Sequence, residues 1–230
     1  MPRLLTADQK RTRMKSSGQC LVHFNKNKTD SMRRFITRDE TWIHHYTPES
    51  KQRSKQWTEA RCSAPKKTRS VSSAGKVMAS VFWDAEGILF IDYLEKDKTI
   101  TGEYYFNLLT RLDEKIREKR PCLQKKKIII HQHNAPAHKS ALAMGKLRDL
   151  PYELSEHPPY SPDLAPSDFY LFPKLRLFLV GQRFSSNQEA TGAVEGYFAD
   201  FTKNHYRDRI MALEHRWNKC ISLKGDYVEK

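Results

Sequence analysis

Five residues, Lys127-Ile128-Ile129-Ile130-His131, set the tightest limit on what this chain can fold into. Three consecutive isoleucines bounded by charge read as a short strand buried on both faces, and such a strand lies inside a sheet covered by helices on either side. The flanking segments supply its neighbours. Phe35 to Tyr46 is rich in β-formers and reads as a strand. Lys76 to Trp83 and Ile88 to Leu94 flank the turn Asp84-Ala85-Glu86-Gly87 and predict a hairpin. Thr101 can cap a helix to about Arg120, in which Tyr105, Leu108, Leu109, Leu112 and Ile116 recur at the helical interval. A helix from about Ala137 to Leu150 and a short strand from Tyr152 to Ser155 follow. This order implies an α/β fold with one mixed central sheet flanked by helices.

The stretch from His157 to Pro166 holds four prolines and cannot be helical, because proline fixes φ and removes a backbone donor. From Asp168 the chain is apolar and helix-compatible to Pro173 or beyond. Ser186 and Glu189 have capping-box spacing for a helix reaching Phe201, and a last helix spans about His205 to Cys220. Residues 1–30 are basic, with weak helical spacing through Leu21, Val22 and Phe24, and read as a linker or peripheral helix. Lys51 to Ala74 is irregular and basic. It is either a solvated loop or a contact for the DNA backbone through Lys66, Lys67 and Arg69.

Composition narrows the partners. Of 230 residues, 41 are Lys or Arg and 27 Asp or Glu, a formal charge of +14 that favours polyanions, nucleic acid first among them. No stretch approaches the roughly 20 apolar residues needed to cross a bilayer, so no membrane role is expected. The first residues lack the apolar core of a signal peptide, so an intracellular protein is expected. Cys20, Cys62, Cys122 and Cys220 form no C-x-x-C pair and read as reduced thiols.

Chemistry in open α/β sheets gathers at strand ends and on the loops that follow them. Asp39 in the first strand, the residues from His131 to Asn134, and the proline-rich loop ending in Asp168 meet that description. Acidic residues converging at a sheet edge in a basic protein suit divalent metals and phosphodiester chemistry, while a strand Asp can equally face solvent. Asp163, among the prolines, reads as a turn cap.

Thr37-Arg38-Asp39-Glu40-Thr41-Trp42, the block His131-Gln132-His133-Asn134-Ala135-Pro136-Ala137-His138, and the block from His157 to Asp168 resemble the three catalytic blocks of mariner transposases. Pro2-Arg3-Leu4-Leu5-Thr6 is similar to the linker after the family's helix-turn-helix region. Arg216 to Ile221 and Gly225 to Lys230 are similar to its C-terminus, so the likeness spans essentially the whole chain. The resemblance implies an RNase H-like (retroviral integrase-like) fold over residues 31–230, with 1–30 as a linker remnant after a missing DNA-binding region. It also implies three carboxylates holding two Mg²⁺ or Mn²⁺ ions, strand cleavage and transfer of DNA, and a nuclear location. Asp39 matches the first carboxylate. Asp168, 35 positions after residue 133, matches the third. Position 133 should be the second aspartate, and it is His133.

That departure weakens the expected metal site. One charge contact at 4 Å is worth roughly 4 kcal/mol at an effective dielectric near 20, about a thousandfold in affinity. Imidazole suits Mn²⁺ or Zn²⁺ better than Mg²⁺. The expected function is therefore a mariner-like catalytic domain with abolished or impaired metal-dependent cleavage. Alternatives are a domesticated non-catalytic DNA-binding or assembly module, and an active nuclease with altered metal choice. A zinc site of His131, His133 and His138 is a further rival. Arg38 stands where the family usually has glycine, and Gly192 and Gly196 fall within a predicted helix, each costing up to about 1 kcal/mol relative to alanine. DNA binding should be mainly non-specific and salt-dependent. Family members act as dimers, which leaves a homodimer open here.

Overall fold

The computed structural model describes residues 4–49, 71–124, 126–150 and 152–228. Strand β1 (Phe35–His44) is the axis of a five-stranded sheet. Strands β2 (Lys76–Asp84) and β3 (Gly87–Tyr93) lie on one side of it, and β4 (Ile128–His131) and β5 (Tyr152–Ser155) on the other, in the order β3-β2-β1-β4-β5. β1 is antiparallel to β2 and parallel to β4, and β4 is parallel to β5, so the sheet is mixed. At the hairpin turn Asp84 Oδ1 accepts the backbone N–H groups of Glu86 and Gly87. Gly87 takes a φ of 139°, which a side chain would strain.

Alternation along β1 sends residues to two cores. Phe35 and Ile43 join Val77, Ala79, Val81, Trp83 and Ile129 on one face. That face is covered by α5 (Phe172–Leu179), α6 (Asn187–Ala199) and α7 (Lys203–Ser222). Ile36 joins Phe82, Leu89, Ile128 and Ile130 on the other face, beneath α3 (Gly102–Lys119) and α4 (Ala141–Asp149). The isoleucine run of β4 thus feeds both cores, as its composition requires.

Helix α3 follows its sequence closely: Thr101 Oγ1 accepts the Tyr104 N–H, and Tyr105, Leu108, Leu109, Leu112 and Ile116 are its buried residues. Helix α4 starts later than its periodicity suggests. Pro136–Lys139 winds as a tighter 3-10 turn, and Ser140 then restarts the helix by accepting the Ala143 N–H. Helix α7 begins two residues before His205, behind the cap residue Thr202.

The first thirty residues hold α1 (Ala7–Lys26) and the start of α2 (Lys28–Arg34). Thr6 and Gln9 form a capping box at the start of α1, and Phe24 meets Trp217 of α7 edge to face, ring centres 5.9 Å apart. Among the described residues, no helix is long and apolar enough to cross a membrane.

Candidate active site

Strand β4 pairs with β1 only as far as His131, opposite Thr37. Beyond that pair β1 continues to Asp39 and Glu40, while the chain leaving β4 brings His133 alongside them. Asp168 arrives on a wide π-type turn, Ser167–Leu171, a geometry that is rare and concentrated at functional sites. The turn is held from below, where buried Trp83 Nε1 donates to Ser167 Oγ at 3.0 Å. Asp39, His133 and Asp168 therefore line one open cleft of about 1270 Å³, together with Glu40, His157 and Tyr160.

His133 Nδ1 lies 3.0 Å from Asp39 Oδ1 and 3.4 Å from Glu40 Oε2. These are ion-pair distances without hydrogen-bond alignment, so His133 Nδ1 and Glu40 Oε2 stay buried with no hydrogen-bond partner. Asp39 Oδ1 also accepts the Glu40 N–H at 2.8 Å. On the opposite face of β1 the buried Arg38 guanidinium pairs with Glu40 Oε1, and its Nη1 lies 2.6 Å from His138 Nε2.

Each titratable group responds to this crowding. Burial, reinforced by the charge of Asp39 and a hydrogen bond with it, pushes the Asp168 carboxyl up to about 7. Burial also opposes the Glu40 carboxylate, yet Arg38, His138 and His133 outweigh it and bring Glu40 down to about 2. His133 is desolvated too, but its close approach to the Asp39 carboxylate, with Glu40 beside it, raises it above the usual histidine value. His138 is lowered by burial and by Arg38.

Among the described residues, the carboxylates of Asp39, Glu40 and Asp168 line the cleft, and an imidazole nitrogen of His133 faces the first at 3.0 Å, where a hard divalent ion would prefer a carboxylate oxygen. The rival zinc constellation of His131, His133 and His138 is not assembled. His131 turns to Thr37 Oγ1 at 3.3 Å and to His157 Nδ1 at 3.1 Å, and Glu40 takes its place beside His133 and His138.

Comparison with known proteins gives this arrangement a lineage. A family described as Transposase (partial DDE domain) matches residues 47–126. The chain is 32% identical over 232 residues to the human histone-lysine N-methyltransferase SETMAR, covering all of this chain and 33% of that protein. It is 32% identical over 219 residues to the Mos1 mariner transposase of Drosophila mauritiana, covering 94% of this chain and 62% of that one. It thus spans a third to under two thirds of these relatives' lengths. The crystal structure of the Mos1 catalytic domain superposes with a TM-score of 0.83 at 28% identity, each chain covered in full. The chain is a mariner-type transposase catalytic domain. Its RNase H-like DDE fold also matches the Mos1 paired-end complex with Mn at a TM-score of 0.92 and 30% identity, covering all of this chain and 66% of that one. The same complex with Mg matches at 0.91.

Within this mariner-type domain, the site holds residues to which the sequence alone assigned no role. Glu40 was visible only as part of a motif, although its i, i+2 relation to Arg38 places both on one strand face. His157 was visible as the start of the proline-rich block, without its contact to His131. Asp163 is not a turn cap. It receives both Nη1 and Nη2 of buried Arg13, at 2.9 and 2.6 Å, and accepts the Val228 N–H at 2.9 Å. Lys66, Lys67 and Arg69 lie outside the described residues.

Proposed function

We propose that this catalytic domain keeps a DNA-binding scaffold while its metal-dependent strand cleavage and transfer are impaired, because His133 stands where the family resemblance calls for the second aspartate. The observation that carries this reading is the 3.0 Å approach of His133 Nδ1 to Asp39 Oδ1. A raised pKa favours imidazolium there, so the group facing Asp39 offers a positive charge instead of two anionic oxygens. Asp39 and Asp168 supply the remaining carboxylates, with Mg²⁺ or Mn²⁺ as the ions they would bind weakly. DNA is the partner that the charge of +14 favours, bound mainly without sequence preference and with Lys66, Lys67 and Arg69 as contacts. A nuclear location belongs to the same reading.

The test is plasmid nicking in Mg²⁺ and in Mn²⁺ by the wild-type chain and His133→Asp. Wild type should leave the plasmid supercoiled in Mg²⁺, and the variant should bind Mn²⁺ at least tenfold more tightly. Wild-type nicking in Mg²⁺ as fast as that of the variant would sink the idea.

A further inference from the structure

Three groups of metal-ligand type meet along one wall of the cleft. Glu40, His133 and His138 each offer one ligand atom, all within 4.8 Å of one another. Three buried atoms there, Glu40 Oε2, His133 Nδ1 and Arg38 Nε, have no hydrogen-bond partner. Such a set invites a cation, and the structure already contains one. The Arg38 guanidinium pairs with Glu40 Oε1, and its Nη1 donates to a ring nitrogen of His138, 2.6 Å from Nε2.

Arg38 is only 1% exposed and fills a place in the second core. Its guanidinium carbon lies 4.8 Å from the centre of the Tyr105 ring and 5.4 Å from that of Phe82, so aromatic faces hold it from the protein side. Guanidinium does not deprotonate in proteins, so this charge is permanent. Little room exists for it to withdraw, since Phe82 and Tyr105 are themselves fully buried.

We propose that Arg38 is a tethered resident cation, which takes the position a metal ion would fill among Glu40, His133 and His138 and repels divalent ions from the adjoining Asp39–Asp168 cleft whatever residue stands at 133. The inference rests on the reading of that cleft as the metal locus, and adds a second obstacle independent of the first. A permanent positive charge beside the cleft weakens divalent-ion binding there, by about tenfold or more at an effective dielectric near 20 after partial offset by Glu40. Both obstacles act on binding itself, so the readout does not depend on cleavage.

Mn²⁺ titration calorimetry on wild type, His133→Asp, Arg38→Gln and the double variant separates them. Arg38→Gln removes the charge but can still donate to Glu40 and His138. Arg38→Met, of similar length, is a second neutral replacement, and Arg38→Lys keeps the charge. Thermal melts identify the folded variants used for comparison. Arg38→Gln or Arg38→Met should tighten Mn²⁺ binding at least tenfold with either residue at 133, and Arg38→Lys should not. Neutral replacements that leave the affinity within twofold in both backgrounds overturn the proposal, as does a gain from Arg38→Lys equal to theirs. If Arg38→Gln gains affinity and His133→Asp does not, the role given to His133 fails while that of Arg38 stands. If His133→Asp alone gains, the reverse holds.

Discussion

Histidines 133 and 157 line the same cleft and are pushed in opposite directions. Burial lowers His157 to about 4, against a usual value near 6.5, so the folded chain resists its protonation. Its stabilising contribution is present above pH 6.5 and is lost as pH falls toward 4, by about 2 kcal/mol once solvent screening is allowed for. His133 has the contrary sign: its contribution is full below 6.5 and is lost as pH rises through its elevated folded value. Histidine-selective NMR titration checks both. The His133 ring should titrate above 6.5 and the His157 ring near 4, and a shared midpoint for the two would contradict the electrostatics described here. None of this could be read from spacing. The type of residue at 133 was legible and its significance came from the motif around it, but the direction of each shift depends on partners that only folding supplies, such as Asp39 for His133.

Elements differ in how openly they declare themselves. Helix α3 is legible because its five buried residues repeat at one helical interval and its cap precedes them. The π-type turn carrying Asp168 is not, because it has the composition of an ordinary helix start and its anchor, Ser167 on Trp83, lies 84 positions away in sequence. Asp163 misleads for a similar reason, since its partner Arg13 is 150 positions away. That partner makes the proline-rich loop a fastened element. Arg13 Nε also donates to Gly225 O at 2.9 Å, so one guanidinium holds α1, the loop and the C-terminal residues together. Removing one member of such a buried pair costs about 3–5 kcal/mol by stranding the other. Arg13→Ala should lose that much in urea denaturation. The double variant Arg13→Ala with Asp163→Ala should lose less than the sum of the two single losses, because neither charge is then left alone. Additive losses would mean that the two side chains act separately.

For the whole molecule, the balance between core and surface is what the sequence conveyed best. The β-branched run of β4 required a sheet covered on both faces, and two cores are present, one beneath α5, α6 and α7 and one beneath α3 and α4. The packing of α1 along α7 was less legible, because α1 is mostly polar and offers only Leu21 and Phe24 as buried apolar residues. Net charge acts at this scale as well. A surface carrying +14 should bind duplex DNA with an affinity that falls about tenfold or more between 50 and 200 mM salt and changes little with sequence. Fluorescence anisotropy on two unrelated duplexes across that range measures both quantities, and a flat salt response would rule out phosphate neutralisation as the source of affinity.

Gly225 lies so close to α1 that an added Cβ would sit 2.1 Å from Lys10 O, and Lys10 Nζ reaches Asp226 Oδ2 at 2.5 Å. Helix α1 and the residues that follow α7 are thus stitched at a single corner. Any side chain at position 225, where φ is 83°, would prise the two apart, so the backbone there keeps room for nothing larger than a hydrogen.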